Sequence, residues 1–191
     1  MAVGYDKYYQ TENLFGNPYP ELIDFFHTYQ NKGKLLDVGC GQGRDAIALA
    51  LMGFEVTGID HSKVGIAQMN EIAVIENLSL TGRVTDIFEF KNFNEYDFVL
   101  LDSMFHFEKN DLKKETDFIK RILSEVKRSC LIVFCIQDTG KKVEILNNCF
   151  NRQNKVESLH DQKFDYIFED KETGHKSKSP YRMIIVKSIQ F

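Results

Sequence analysis

The chain has 191 residues, 43% of them hydrophobic and 27% charged. That supports one domain with a sizeable core and excludes two ordinary ones, and the balance is that of a soluble globular protein. A formal net charge of −4 argues against a nucleic-acid backbone as the main partner.

The four cysteines, Cys40, Cys130, Cys135 and Cys149, form no C-x-x-C pair, so neither a zinc site nor a disulfide framework is expected. Reduced thiols, no signal-peptide pattern and no long apolar run predict a cytoplasmic protein that avoids membranes.

Met1 to Tyr19 carries Tyr5, Tyr8, Tyr9, Phe15 and Tyr19 without a period. Two readings stand: an arm packed on the domain, or a lid with aromatic walls over a ligand pocket. A helix follows, with Pro20 in its first turn and Leu22, Phe25, Phe26 and Tyr29 on one apolar face. Gly33 is placed to end it, and His27 lies off the apolar face.

Lys34 to Val38 reads as the first strand. It runs into Gly39, Gly41 and Gly43 on alternate positions, then into Asp45 to Met52, a helix with almost no polar face that Gly53 closes. Strand, glycine turn and buried helix is the pattern of a nucleotide-binding crossover. Glycine admits positive φ and lets a ligand lie against the backbone, while the new helix points its N–H groups at that ligand. Phe54 to Ile59 is the second strand, ending at Asp60, 23 residues after Asp37. An acid at that distance is placed to hydrogen-bond a ribose diol. The dinucleotide fingerprint wants a further glycine where Arg44 stands, so an NAD-type oxidoreductase is the weaker reading.

Ser62 is a good N-cap for a helix reaching about Glu76, with Ile66, Met69, Ile72 and Ala73 on its buried side. The third strand lies somewhere in Leu78 to Val84, followed by Thr85-Asp86-Ile87. Tyr96 to Leu101 is the fourth strand, apolar enough to be central. Asp102-Ser103-Met104-Phe105-His106-Phe107 leaves its carboxyl end, where open α/β sheets bind ligands. Asn110 or Asp111 caps a helix with Leu112, Ile119, Leu123 and Val126 inside and Lys113, Lys114, Lys120 and Lys127 outside. Cys130 to Ile136 is a fifth, buried strand, and a short helix spans Lys142 to Phe150. Lys163 to Glu169 and Tyr181 to Lys187 read as strands of a long hairpin around the polar stretch Asp170 to Ser179.

The octet Asp37-Val38-Gly39-Cys40-Gly41-Gln42-Gly43-Arg44, with the buried helix and Asp60 after it, resembles the first motif of class I S-adenosylmethionine-dependent methyltransferases. The short chain, the Gly-Cys-Gly-Gln-Gly-Arg turn, Ile75-Glu76-Asn77-Leu78 and Tyr96-Asp97-Phe98 are similar to the small tellurite-resistance and thiopurine-type methyltransferases. The resemblance implies an α/β, Rossmann-like, doubly wound and mostly parallel sheet with a C-terminal antiparallel hairpin. It implies a single domain over residues 1–191: an arm and helix over 1–33, with the arm as lid, and the core over 34–191. The donor would be S-adenosylmethionine and the product S-adenosylhomocysteine. Asp37 would help fix the methionine end, Gly39, Gly41 and Gly43 would lie beneath it, and Asp60 would hold the ribose with His61 beside it. Asp86 and Ile87 would flank the adenine, although a turn-forming aspartate is the other reading of Asp86. Asp102 completes the donor set. Relatives carry a Pro-Gly-Gly turn before the fifth strand; here Glu125-Val126-Lys127-Arg128-Ser129 replaces it.

For the acceptor, Asp102-Ser103-Met104-Phe105 lacks the prolines of base-directed amino-methyltransferases and the Pro-Cys pair of cytosine methyltransferases. Asp102 and Asp138 alone are too few for a metal site, and none is expected. A small-molecule acceptor is therefore expected, and no nucleic acid. His106 is the candidate general base, with a histidine packed or hydrogen-bonded between Phe105 and Phe107 as the alternative reading. A non-catalytic donor-binding module is the second functional reading. The oligomeric state has no signal in the sequence.

Overall fold

The computed structural model describes residues 5–7, 9–11, 14–151, 155–169 and 176–189. The chain divides into two compact units, Met1–Phe90 and Lys91–Phe191.

In the first unit Tyr19 leads in extended conformation into α1 (Pro20–His27), with Pro20 in the first turn as expected. Leu22 and Phe26 are fully buried, and the Phe26 ring meets Phe54 edge-on at 5.3 Å. Each such side chain contributes about 1.5–3 kcal/mol of burial. The helix stops earlier than the expectation at Gly33. The N–H and hydroxyl of Thr28 both donate to the Phe25 carbonyl, at 3.1 and 2.7 Å, which satisfies the helix end locally. Tyr29 consequently falls outside the helix, and the Gly33 carbonyl instead accepts from Glu55 N–H at 3.2 Å, opening the sheet.

β1 (Lys34–Val38), α2 (Arg44–Leu51), β2 (Glu55–Asp60), α3 (Lys63–Ile75) and β3 (Leu80–Val84) then alternate. The strands are parallel in the order β3-β2-β1, with Asp37 opposite Gly58 and Gly58 opposite Gly82. β1 buries Leu35 to Val38 without alternation, as a strand covered on both faces must. α2 ends at Met52 with Gly53 at φ 94, the left-handed stop expected of it. Ser62 caps α3: its Oγ accepts from Gly65 N–H at 3.0 Å.

Met69 explains how α3 lies so close to the sheet. A Cβ on Gly58 would stand 2.7 Å from Met69 Cε, one on Gly82 2.5 Å from it, and one on Gly43 would collide with Met69 Cγ. The thioether occupies three hollows that glycine leaves. Asn70 adds a two-way bond to Gly82, accepting from its N–H at 2.7 Å and donating to its carbonyl at 3.1 Å. This tight seat narrows the buried stripe of α3 to Gly65, Ile66, Met69 and Ala73. Ile72, expected inside, is exposed.

The second unit holds β4 (Phe98–Asp102), α4 (Leu112–Glu125), β5 (Leu131–Gln137), α5 (Lys142–Asn151), β6 (Val156–Glu169) and β7 (Lys176–Ser188). β4 runs parallel to β5; β7 is antiparallel to both β5 and β6. α4 buries Phe118, Ile119, Ile122 and Leu123 together with Glu115, while Leu112 is only half-buried and Val126 is the buried residue after the helix. Of its lysines, Lys113 and Lys120 pair with Asp117, and Lys127 pairs with Asp97. β6 and β7 are roughly twice as long as the sequence suggests, at 14 and 13 residues. Pro180 falls just past the last residue of β7 that pairs with β5, Tyr181, so its missing N–H breaks no bond to β5. The 170–175 connection, with Gly174, lies outside the described residues, as do Tyr8 and the side chain of Tyr5.

The fold class is α/β and Rossmann-like: parallel βα units with a C-terminal antiparallel hairpin. Among the described residues no helix is long and apolar enough to cross a membrane. All four cysteines are reduced and buried, and burial pushes the Cys130 thiol up to about 12.

Candidate donor site at the strand tips of the first unit

Gly39, Gly41 and Gly43 all take positive φ, at 75°, 53° and 83°. Only glycine adopts three such conformations in one turn without strain. The turn is pinned to β2: the N–H groups of Gly39 and Cys40 both donate to the Ile59 carbonyl, at 2.8 and 3.1 Å. Gly43 then serves as N-cap of α2, whose first N–H groups face out of the turn.

Asp60, at the end of β2, is buried, with 7% exposure. Its Oδ2 accepts from Gly41 N–H at 3.0 Å and its Oδ1 from Ser62 N–H at 2.8 Å. The carboxylate is thereby fixed in orientation, and each oxygen keeps an acceptor site for a further hydroxyl. The exposed imidazole of His61 stands 3.5 Å from Asp60 Oδ1. Asp86 follows β3 and is exposed. It makes the turn expected on one of its two readings: Phe88 N–H donates to its Oδ1 at 2.9 Å. Ile87 beside it is half-buried. Asp37, Asp60 and Asp86 thus stand at or just beyond the carboxyl ends of three adjacent parallel strands, where α/β sheets take their ligands.

Asp37 is 3% exposed. Burial first, and then the neighbouring Asp45 charge, push its carboxyl well above the usual carboxylate range. Asp45 is gripped by its neighbour: Arg44 Nε and Nη2 reach its two oxygens at 3.1 and 2.9 Å. Adjacent helix residues do not ordinarily face each other, so no sequence spacing announces this fork. The guanidinium also lies 4.6 Å from the Tyr19 ring centre.

The arm packs onto this turn. A Cβ on Gly41 would stand 2.5 Å from the Tyr9 hydroxyl, and Tyr9 is buried. Gln42 donates to the Thr11 carbonyl and accepts from Leu14 N–H, Gln68 donates to the Tyr9 carbonyl, and Asp6 accepts from Ser62 Oγ. The sequence singled out the aromatics of the arm and missed the glutamines that tie it down.

In the second unit Asp102 ends β4 and accepts from Ser103 Oγ at 2.9 Å. Ser103 and Phe107 take positive φ, at 55° and 52°. Phe105 and Phe107 are buried and stacked in parallel at 5.8 Å, while His106 between them is exposed. The His106 side chain is therefore not packed between the two phenylalanines. Glu115 holds this loop: its carboxylate accepts from the N–H groups of His106 and Phe107, at 3.2 and 2.6 Å. Nothing in the helical pattern marked Glu115, which sits where an apolar residue would. Asp138 pairs with Lys163 and Arg182. Among the described residues no group of three His, Cys, Asp or Glu side chains could hold a metal ion.

The model of the family described as tellurite resistance protein TehB matches residues 1–134. The chain belongs to the TehB family. Among curated relatives, a probable S-adenosyl-L-methionine-dependent methyltransferase TehB of Haemophilus influenzae is 40% identical over 74 residues, 39% of this chain and 26% of that protein. The matched stretch is thus about a quarter of the relative's length. The crystal structure of TehB from Haemophilus influenzae superposes with a TM-score of 0.70 at 20% identity, covering 96% of this chain and 65% of that one. The N-methyltransferase NodS from Bradyrhizobium japonicum, in complex with S-adenosylhomocysteine, gives a TM-score of 0.69 at 12% identity, covering 98% and 100%. At such identities the structural likenesses establish the class I methyltransferase fold.

Proposed function

We propose that this TehB-family chain transfers the methyl group of S-adenosylmethionine to a small-molecule acceptor. The observation that carries the reading is Asp60, buried and oriented by two backbone N–H groups at the tip of β2, beside a turn of three left-handed glycines. A fixed carboxylate with spare acceptor sites suits a ribose diol. Asp37 and the glycine turn receive the methionine end, with His61 near the ribose and Asp86 and Ile87 beside the adenine.

The donor supplies a methyl group on a positively charged sulfur, so the protein needs no covalent intermediate. Its work is alignment of the acceptor and exclusion of water. His106, exposed on a loop held by Glu115, is the base for acceptors that must lose a proton. Soft acceptors such as thiols, selenols or chalcogen oxyanions need no base, and the family's tellurite-resistance description favours this class. The net charge of −4 and the absence of a base-directed motif after Leu101 weigh against nucleic acid.

Calorimetric titration with S-adenosylmethionine, S-adenosylhomocysteine and NADH, on the intact protein and on Asp60→Ala, tests the donor site. Binding of the sulfur ligands, weakened tenfold or more in the variant, is the expected result; binding of NADH alone overturns the reading. Turnover with thiols, phenols, amines, selenite and tellurite then separates an enzyme from a donor-binding module.

A further inference from the structure

The donor's amino-acid end carries an ammonium and a carboxylate, and a buried acid such as Asp37 suits the ammonium. Several groups that ordinarily hold an anion at such a turn have partners within the protein. The N–H groups of Gly39 and Cys40 donate to the Ile59 carbonyl, that of Gly41 to Asp60, and that of Gly43 to the Cys40 carbonyl at 2.8 Å. The Arg44 guanidinium forks onto Asp45 and lies against the Tyr19 ring. The start of α3 has an anion of its own: the Asp6 carboxylate accepts from Ser62 Oγ and from Val64 N–H. What lies on the turn is a phenol. A Cβ on Gly41 would stand 2.5 Å from the Tyr9 hydroxyl and 3.2 Å from Tyr9 Cζ, so the tip of the side chain occupies the hollow that glycine leaves. Tyr9 is 4% exposed, and its ring reaches over the start of α3, where a Cβ on Gly65 would stand 3.1 Å from Tyr9 Cε2. The arm is fastened on both sides of it. Asp6 holds it before Tyr9, Gln68 Nε2 donates to the Tyr9 carbonyl at 2.9 Å, and Gln42 holds it after Tyr9, donating to the Thr11 carbonyl at 2.9 Å and accepting from Leu14 N–H at 3.0 Å. Gln42 also donates to Gln68 Oε1 at 2.9 Å, which makes one brace of the two glutamines.

We infer that the Tyr9 hydroxyl, held on Gly41 by the arm, donates a hydrogen bond to the α-carboxylate of the donor, so that the arm supplies part of the donor site. This rests on the reading of the glycine turn and Asp37 as the seat of the donor's methionine end. A phenol ordinarily titrates near about pH 10, so Tyr9 keeps its proton at neutral pH and offers one O–H at a fixed reach. An ammonium in its place would pair with Asp60, whose carboxylate meets the same Gly41; a neutral hydroxyl leaves Asp60 to the ribose. Gly41 then serves twice: its φ of 53° shapes the turn, and its bare Cα admits the hydroxyl. Gln68 and Gln42 are positioning residues, acting on the ligand only through the stretch of arm that carries Tyr9. The product keeps the same carboxylate, so Tyr9 holds donor and product alike and discriminates against nucleosides that lack the amino-acid end.

The test is calorimetric titration of the full chain and of Tyr9→Phe, which keeps the ring and removes only the oxygen. The ligands are S-adenosylhomocysteine, decarboxylated S-adenosylmethionine, which has the ammonium and no carboxylate, and 5′-methylthioadenosine, which has neither. Tyr9→Phe is expected to weaken S-adenosylhomocysteine about tenfold or more and to leave the other two within about twofold of the parent. Gln68→Ala is expected to weaken S-adenosylhomocysteine as well, with little further loss when combined with Tyr9→Phe, because both act through one hydroxyl. Unchanged affinity of Tyr9→Phe for S-adenosylhomocysteine, or equal weakening of all three ligands, overturns the inference and leaves the donor site standing. Strict additivity of Gln68→Ala and Tyr9→Phe overturns the positioning role. No binding by the intact protein overturns the donor-site reading itself, and the inference with it.

Discussion

Asp60 Oδ2 accepts the backbone N–H of Gly41 at 3.0 Å, which fastens the tip of β2 to the middle of the glycine turn. With Ser62 N–H on the other oxygen, one carboxylate organises the turn and the start of α3 together. Asp60→Ala leaves both backbone donors without their acceptor. The expected loss is about 2–4 kcal/mol of unfolding free energy, from two charge-assisted hydrogen bonds in a buried setting. Asp60→Asn keeps one accepting oxygen and falls between. Urea denaturation reads both; full stability in Asp60→Ala would mean that the turn is held without this carboxylate.

Gly43 is the most demanding glycine of the three that Met69 fills. It combines positive φ with a collision against Met69 Cγ, whereas Gly58 and Gly82 meet the flexible Cε. Gly43→Ala is expected to cost about 2–4 kcal/mol, the sum of left-handed strain and overpacking. Gly82→Ala is expected to cost less. Met69→Ala alone costs about 2–5 kcal/mol as a cavity, yet combined with Gly43→Ala it costs less than the sum. A double-mutant cycle measures this coupling, and strict additivity would refute the contact.

Glu115 holds the loop that presents His106. Glu115→Ala strands two buried-side N–H groups and is expected to cost about 2–4 kcal/mol. Hydrogen exchange at the His106 and Phe107 amides reports the loss directly: protection is expected to fall at these two positions more than across β4. Unchanged protection there would assign the loop's shape to the Phe105–Phe107 stack alone.

Asp37 makes a prediction about stability and pH. Its carboxyl is raised in the folded protein, chiefly by burial, so the folded state holds a proton that the unfolded chain has given up. The stability this represents is present below the ordinary carboxylate range and is lost as pH rises through the folded value. Asp37→Asn has no such loss. The variant is expected to melt above the parent at neutral pH, with the gap closing toward acid pH, while binding donor more weakly. Thermal melts of both proteins across that range check this; parallel curves at every pH would show that Asp37 titrates normally.

Much of the first unit was legible in the chain because its signals are local. Leu35-Leu36 opens a strand without polar alternation, Ser62 sits one residue before an apolar-periodic run, and Gly53 follows the last helical turn. The cap and the helix stop are each satisfied by neighbours within a few residues. The expected helix end at Gly33 failed for a related reason: Thr28 offers an earlier local solution, with two donors to one carbonyl. The lengths of β6 and β7 were hidden because each is completed by the other. The polar stretch Asp170 to Ser179, with Gly174, reads as the turn of the hairpin until thirteen paired positions supply the partner strand.

The sequence by itself determined the order of strands and helices, the glycine turn and the acids at the strand tips, since spacing along the backbone decides what a turn can do and how far one strand end lies from the next. Only the tertiary structure decided what those groups touch. Met69 fills three glycine hollows, Glu115 anchors the loop eight and nine residues before it, and Arg44 forks onto Asp45, while Asp37 is buried. The physical reason is that burial and charge compensation depend on which side chains meet in space, and a carboxylate becomes an acid or a ligand according to the cations within reach of it.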